Sequence, residues 1–153
     1  MQLDRRMILF SVALYIGIGF PISLLHETGH VYVCATNGFD YRVWVDFTGG
    51  HMLCFGRLEQ NFVYNAMGGL FGLAGSAALV IAWFFAKKHY ALLAVGLAYA
   101  VDQGAKIFLE GTLTSLYNSG AIDVYITALQ VASWLGFMLY FARKSYVARQ
   151  IGA

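Results

Sequence analysis

Four long apolar segments alternate with shorter polar stretches along this chain. They run from Met7 to about Tyr32, from Phe62 to Ala86, from Tyr90 to about Leu109, and from Ala121 to Ala142. A helix needs about 20 mostly apolar residues to cross the hydrocarbon core of a bilayer. The pattern therefore predicts an all-α polytopic membrane protein with about four transmembrane helices, in a single domain that covers residues 1–153.

The connection between the first and second apolar segments has a different pattern. Residues 41–47 and 52–57 are rich in aromatic and β-branched types, and they flank the turn-forming residues Thr48, Gly49 and Gly50. Such runs on either side of a glycine turn are typical of paired strands. We therefore expect a short β-hairpin at the membrane surface between the first and second transmembrane helices.

Composition and charge placement agree with a membrane location. Hydrophobic residues make up 59% of the chain and charged residues only 12%, against roughly 25% charged residues in soluble domains. Basic residues cluster before the first segment, between the second and third, and after the fourth: Arg5, Arg6, Lys87, Lys88, Arg143, Lys144 and Arg149. The positive-inside rule then predicts that both termini are cytoplasmic. The expected surrounding is the lipid bilayer, and no nucleic-acid-binding pattern is present in the sequence.

The chain has two cysteines, Cys34 and Cys54, which both lie near the first outward connection. Two cysteines do not define a disulfide scaffold. In an oxidising compartment they could form a disulfide bond, and two free thiols fit the sequence equally well.

Candidate chemistry is concentrated near the end of the first segment, where His26, Glu27 and His30 form an H-E-x-x-H motif. The four-residue spacing places both histidines on one helix face, where they can bind the same metal ion. Glu27 can reach a water molecule in the open coordination position as a general base. Ionisable groups inside a membrane helix are costly and usually functional. The motif therefore favours a zinc hydrolase site. One alternative is that the two histidines and Glu27 bond to one another without a metal ion. Another is haem ligation by a histidine, which leaves Glu27 without a role.

A catalytic zinc ion usually has three protein ligands, so a third must come from another segment. At roughly 1.5 Å per residue, the helix from Arg6 to His26 is about 30 Å long, which places the motif near its outer end. By the same measure, Asp123 and Glu110 lie at about the same depth in the membrane as the histidine motif. Asp102 lies nearer the middle of the membrane.

Among these candidates, Asp123 is predicted as the third ligand because its depth matches that of His26. The alternative for Asp123 is a plain residue at a helix start, where negative charge is favoured. Asp102 precedes Lys106 by one helical turn, and an ion pair is its simpler interpretation. Asp102 and Glu110 both stay open as candidates for the third ligand, while His51 and His89 are more simply surface residues.

Small residues line one face of the second apolar segment, where Gly68, Gly72 and Ser76 recur every four residues. Such a face lets a neighbouring helix approach closely. Tight helix packing is the simpler interpretation. In a functional interpretation, the same face presses the second helix against the helix that carries the histidines.

With these motifs, the chain resembles the site-2 protease family of intramembrane zinc metalloproteases over roughly residues 10–130. The shared features are H-E-x-x-H in a membrane helix, a short stretch with predicted strands, a glycine-rich span, and a later aspartate after an asparagine-containing loop. In this chain they correspond to His26–His30, Asn37 and Gly38, Gly72 with Gly75 and Ser76, and Asn118–Asp123. Asp123 is followed by Val124, where the family usually has glycine.

The resemblance implies a minimal intramembrane zinc metalloprotease, without a PDZ-like segment, whose substrates are membrane proteins. His26, His30 and Asp123 would hold Zn²⁺, and Glu27 would take a proton from the water that attacks a peptide carbonyl. Asn118 would hold the substrate backbone. Two alternatives are a membrane protein that binds metal without proteolysis and an inactive relative that acts as a binding partner.

Overall fold

The computed structural model describes residues 3–46, 49–86 and 89–151. These ranges form, in chain order, α1 (Arg5–Thr36), β1 (Tyr41–Asp46), β2 (Gly49–Cys54), α2 (Phe62–Phe85), α3 (Tyr90–Thr112), α4 (Thr114–Asn118) and α5 (Asp123–Ile151). Within them, α1, α2, α3 and α5 are long and apolar enough to cross a membrane. The predicted class, a helical multi-pass membrane protein with a hairpin after its first helix, is confirmed.

Three of the membrane helices extend beyond the apolar segments that predicted them. α1 continues to Thr36, α3 to Thr112, and α5 to Ile151. Apolar character marks the part of a helix suited to lipid, whereas backbone hydrogen bonding continues into the polar ends. Asp4 caps the start of α1 by accepting hydrogen bonds from two backbone amides of its first turn, which is a common device at helix starts.

The strands β1 and β2 pair antiparallel, with Tyr41 opposite Cys54 and Asp46 opposite Gly49. The predicted hairpin is confirmed, although Gly49 and Gly50 belong to β2 and not to the turn. The remaining predicted turn residue, Thr48, lies outside the described residues.

The tip of the hairpin lies alongside α1. Gly49, at its tip, lines a cavity together with Gly19 and Ser23 of α1. A Cβ atom at Gly50 would lie 2.9 Å from the carbonyl oxygen of Ser23. The stretch of α1 from Gly19 to Cys34 is about 22 Å long, so the hairpin reaches back along the apolar part of the helix. Non-helical backbone at such depth is tolerated where it contacts protein or lines a cavity.

A disulfide bond joins Cys34, in the last turn of α1, to Cys54 at the end of β2. Cys34 is fully buried. Of the two states open from the sequence, the structure has the disulfide. It ties the base of the hairpin to the helix that carries the H-E-x-x-H motif.

α3 packs against α1, α2 and α5 and holds many of the buried residues. Its close neighbours approach over small side chains, since Ala94 and Ala98 are fully buried. Large apolar side chains point outward instead, among them Ile16, Phe85 and Val124, which are 73%, 84% and 76% exposed. Apolar patches of this kind are rare on soluble monomers, and they are suited to contact with lipid.

The start of α1 and the end of α5 meet at one end of the bundle. Asp4 accepts a hydrogen bond from the Ser145 hydroxyl at 2.7 Å and forms an ion pair with Arg149 at 3.1 Å. Burial opposes ionisation of Asp4, but the hydrogen bonds and the Arg149 charge outweigh it and hold its pKa below the usual value. Arg6 and His89 line a groove at this same end.

Candidate metal centre

Three side chains from two helices converge beside α2. His26 and His30 project from α1 and Glu110 from α3, and their ligand atoms lie within 4.8 Å of one another. Nε2 of His26 is 3.1 Å from Oε1 of Glu110, and Nε2 of His30 is 3.5 Å from Oε2. A tetrahedral zinc ion with bonds of about 2.0–2.2 Å separates its ligand atoms by roughly 3.3–3.6 Å. The two observed distances, each to a different oxygen of Glu110, are close to this separation, so a small adjustment of the side chains would admit a single shared ion.

The carboxylate of Glu110 is the most informative group in this cluster. It is only 3% exposed. Its oxygens lie near the two histidine nitrogens, but neither accepts a hydrogen bond of good geometry from the described residues. Removing a carboxylate from water costs several kcal/mol. A cation between Glu110 and the two histidines would stabilise this buried charge, so the donor set fits a divalent metal ion.

Glycine at position 68 leaves space beside the two histidines. A Cβ atom there would lie 2.7 Å from Nε2 of His26 and closer still to Nε2 of His30. The same helix face brings Gly72 against the side-chain amide of Gln103 in α3. The small-residue face therefore provides tight packing and also brings α2 against the histidine helix, so both interpretations of the pattern hold.

We expect Gly68→Ala to lower zinc affinity by at least about tenfold, because the added methyl group would occupy space next to both ligand nitrogen atoms. Gly136→Ala is the matched control, since a Cβ at Gly136 would meet nothing within 4 Å. Zinc titration of both purified variants measures the difference. Wild-type affinity in Gly68→Ala would contradict the position assigned to the ion.

Asp123, predicted as the third ligand, is not part of the converging group. It begins α5 and lines a cavity that His26 and Glu27 also line, but the cluster of ligand atoms contains Glu110 in its place. Depth in the membrane could not separate the two candidates, because both lie near the height of the motif. The two residues differ in sideways position, since α3 places Glu110 beside the histidines.

The other candidates have different partners or positions. Asp102 pairs with Lys106 at 3.3 Å, which confirms the interpretation from the sequence. His51 lies 3.2 Å from Asp46 within the hairpin. His89 precedes α3 at the opposite end of the bundle.

A polar cavity of about 400 Å³ opens beside His26. Its wall is formed by α1, the hairpin, α3, α4 and the start of α5, and it includes Glu27, Tyr117 and Asn118. Burial and the negative charge of Glu110 raise the pKa of Tyr117 well above its usual value, so its hydroxyl stays protonated and can donate a hydrogen bond. The two remaining predicted site residues, Glu27 and Asn118, thus share one cavity with the histidine motif.

Of the three converging residues, His26 lines this cavity, while His30 and Glu110 lie behind it. Three ligands of nitrogen and oxygen type with space beside them are typical of catalytic zinc sites, whereas structural sites are usually closed by four protein ligands. Tyr117 was not predicted as a cavity residue, because a single tyrosine in the connection between two apolar segments carries no sequence signal.

Comparisons with protein-family models, with curated proteins and with solved structures give no match for this chain.

Proposed function

We propose that this protein is an intramembrane zinc metalloprotease, similar to the site-2 protease family, that cleaves peptide bonds in or near transmembrane segments of membrane proteins. The observation that carries the proposal is the convergence of His26, His30 and Glu110 beside a cavity that Glu27 also lines. Two histidines and a glutamate form a ligand set found in soluble zinc peptidases.

His26, His30 and Glu110 would hold Zn²⁺, with Glu110 in the place predicted for Asp123. When bound there, the ion would activate a water molecule for attack and polarise the carbonyl group of the substrate. The carboxylate of Glu110 supplies the negative charge that two neutral histidines lack. Its burial keeps bulk water from competing for the ligand atoms.

Glu27 is the general base in this proposal. It directly follows His26 in α1 and lines the cavity, so its carboxylate can accept a proton from the attacking water. The same group returns the proton to the leaving amine nitrogen as the peptide bond breaks. A Cβ at Gly50 would lie 2.7 Å from the Glu27 Cγ atom, so the hairpin backbone stands directly beside the base.

The cavity wall offers groups that suit an extended polypeptide. The Asn118 side chain can both donate to and accept from a peptide backbone, and the protonated hydroxyl of Tyr117 can donate to a carbonyl oxygen. The hairpin beside Glu27 could receive a substrate strand by edge pairing. A substrate helix would have to unwind locally to present its peptide bond in this way.

Two independent features favour a cavity that opens toward the non-cytoplasmic face. Asp4 and Arg149, together with the basic residues near them, stand at the opposite end of the bundle, and the positive-inside rule makes that end cytoplasmic. The Cys34–Cys54 bond lies on the cavity side, and disulfides persist in oxidising compartments. Both termini would then be cytoplasmic, as predicted from the sequence.

Metal removal tests the proposal. The protein, purified in detergent and reconstituted into vesicles, should contain stoichiometric zinc and should cleave a model transmembrane substrate. A chelator should abolish cleavage and added zinc should restore it. Absence of bound zinc in the purified protein, or undiminished cleavage after chelation, would overturn the proposal.

A further inference from the structure

We propose that Gln103 is a positioning residue that fixes the tautomer and orientation of His26 for metal binding. The inference rests on the metal site of the proposed function. It concerns a residue outside the ligand set and outside the H-E-x-x-H motif. Its first test uses the metal-free protein, so that its failure can be told apart from failure of the protease proposal.

A buried chain of hydrogen bonds runs from α3 to the first histidine. The Gln103 amide nitrogen donates to Oδ2 of Asp102 at 2.8 Å, and the Gln103 carbonyl oxygen lies 2.9 Å from Nδ1 of His26. Asp102 and Gln103 are each 1% exposed and His26 is 4% exposed. Water therefore does not compete for these contacts.

The chemistry of the three groups determines which atom donates and which accepts in each of these hydrogen bonds. Asp102 forms an ion pair with Lys106, whose Nζ lies 3.3 Å from the same Oδ2 atom, and a carboxylate in an ion pair can only accept hydrogen bonds. The Gln103 amide nitrogen must therefore face Asp102, and its oxygen must face His26. An amide oxygen accepts only, so Nδ1 of His26 carries the hydrogen.

In the neutral ring, a hydrogen on Nδ1 of His26 determines the state of the other ring nitrogen, Nε2. In a neutral histidine protonated at Nδ1, the Nε2 atom has its lone pair available. That atom is the one 3.1 Å from Glu110, at the point where the ligand atoms converge. Partners that hold the far nitrogen of a metal-binding histidine fix ring orientation and raise ligand basicity.

The cost of this arrangement argues for a role beyond packing. Polar side chains inside an apolar bundle are expensive unless they are hydrogen-bonded, and a leucine in place of Gln103 would be cheaper. The neighbouring helix also accommodates the amide, because a Cβ atom at Gly72 would collide with it. Gly72 in α2 and Asp102 in α3 thus both serve the placement of Gln103.

Nitrogen NMR of histidine in the metal-free, neutral protein tests the inference directly. Wild-type His26 should carry a hydrogen on Nδ1, both where Nε2 is free of hydrogen and where Nε2 donates to the Glu110 carboxylate 3.1 Å away. Gln103→Met keeps much of the side-chain volume and removes the acceptor, so the tautomer should become mixed and zinc affinity should fall by about 10- to 100-fold.

A double variant separates positioning from packing. Asp102→Asn with Gln103→Glu moves the carboxylate one residue along the chain and still offers an acceptor to Nδ1, so tautomer and zinc affinity should return toward wild type. A wild-type His26 without a hydrogen on Nδ1, or wild-type zinc affinity in Gln103→Met, would overturn the inference. Zinc binding without proteolysis would overturn the protease proposal and leave this inference intact.

Discussion

Replacing Glu110 with alanine should leave the purified protein without stoichiometric zinc, whereas replacing Asp123 should not. Glu110 provides one of the three converging ligand atoms, at 3.1 and 3.5 Å from the two histidine nitrogens. Changes one step outside a ligand set already cost 10- to 100-fold in affinity, so loss of a ligand should cost more than about 100-fold. Elemental analysis of Glu110→Ala and Asp123→Ala, purified side by side, measures the difference.

Thermal unfolding provides the control for folding. A ligand that binds only the folded state raises its stability, by about 2.7 kcal/mol at a concentration 100 times the dissociation constant. Zinc should therefore raise the unfolding temperature of wild type and Asp123→Ala, and it should not change that of Glu110→Ala. If Asp123→Ala loses zinc while Glu110→Ala keeps it, the third ligand is Asp123, as predicted from the sequence.

Replacing Glu27 with glutamine should lower the rate of substrate cleavage by about 10²- to 10⁴-fold, which is the usual contribution of general acid–base catalysis. Glutamine has nearly the same shape as glutamate but cannot accept the proton of the attacking water. Because Glu27 lies outside the converging ligand atoms, zinc content should stay at the wild-type level. Single-turnover cleavage of a model transmembrane substrate in vesicles measures the loss.

The same variant separates the alternatives for the metal. If zinc in this protein is structural or transported, the Glu27→Gln variant would keep full function. That result would contradict the protease proposal. If the chain is an inactive binding partner, the wild type itself would contain no stoichiometric zinc. Glu59→Gln is a suitable control, since Glu59 precedes α2 and is not among the residues that line the cavity beside His26.

The helices and the first part of the site could be predicted from sequence because their signals are local. Apolar length identifies a membrane helix, and the spacing of His26 and His30 depends only on the helical repeat. The pairing of Asp102 with Lys106 follows from the same repeat. None of these predictions requires knowledge of how the helices pack.

The convergence of Glu110 with the two histidines could not be predicted in this way, because it depends on contacts between distant segments. Asp123 and Glu110 have similar depths in the membrane. Sequence position gives the depth of a residue along its helix but not its distance from residues on other helices. The rotation of α3 about its own axis, set by its packing on the glycine face of α2, turns Glu110 toward the histidines. The contact between the hairpin and α1 could not be predicted for a similar reason, since the sequence pattern predicts pairing between strands and not the approach of Gly50 to α1.

The disulfide between Cys34 and Cys54 has a consequence for how the wall of the cavity is held. The backbone already joins β1 to α1 through residues 37–40, whereas the end of β2 is held to α1 by noncovalent contacts alone before these thiols are oxidised. Oxidation therefore adds a second covalent link and closes a ring of chain around the hairpin, whose second strand forms the wall beside Glu27.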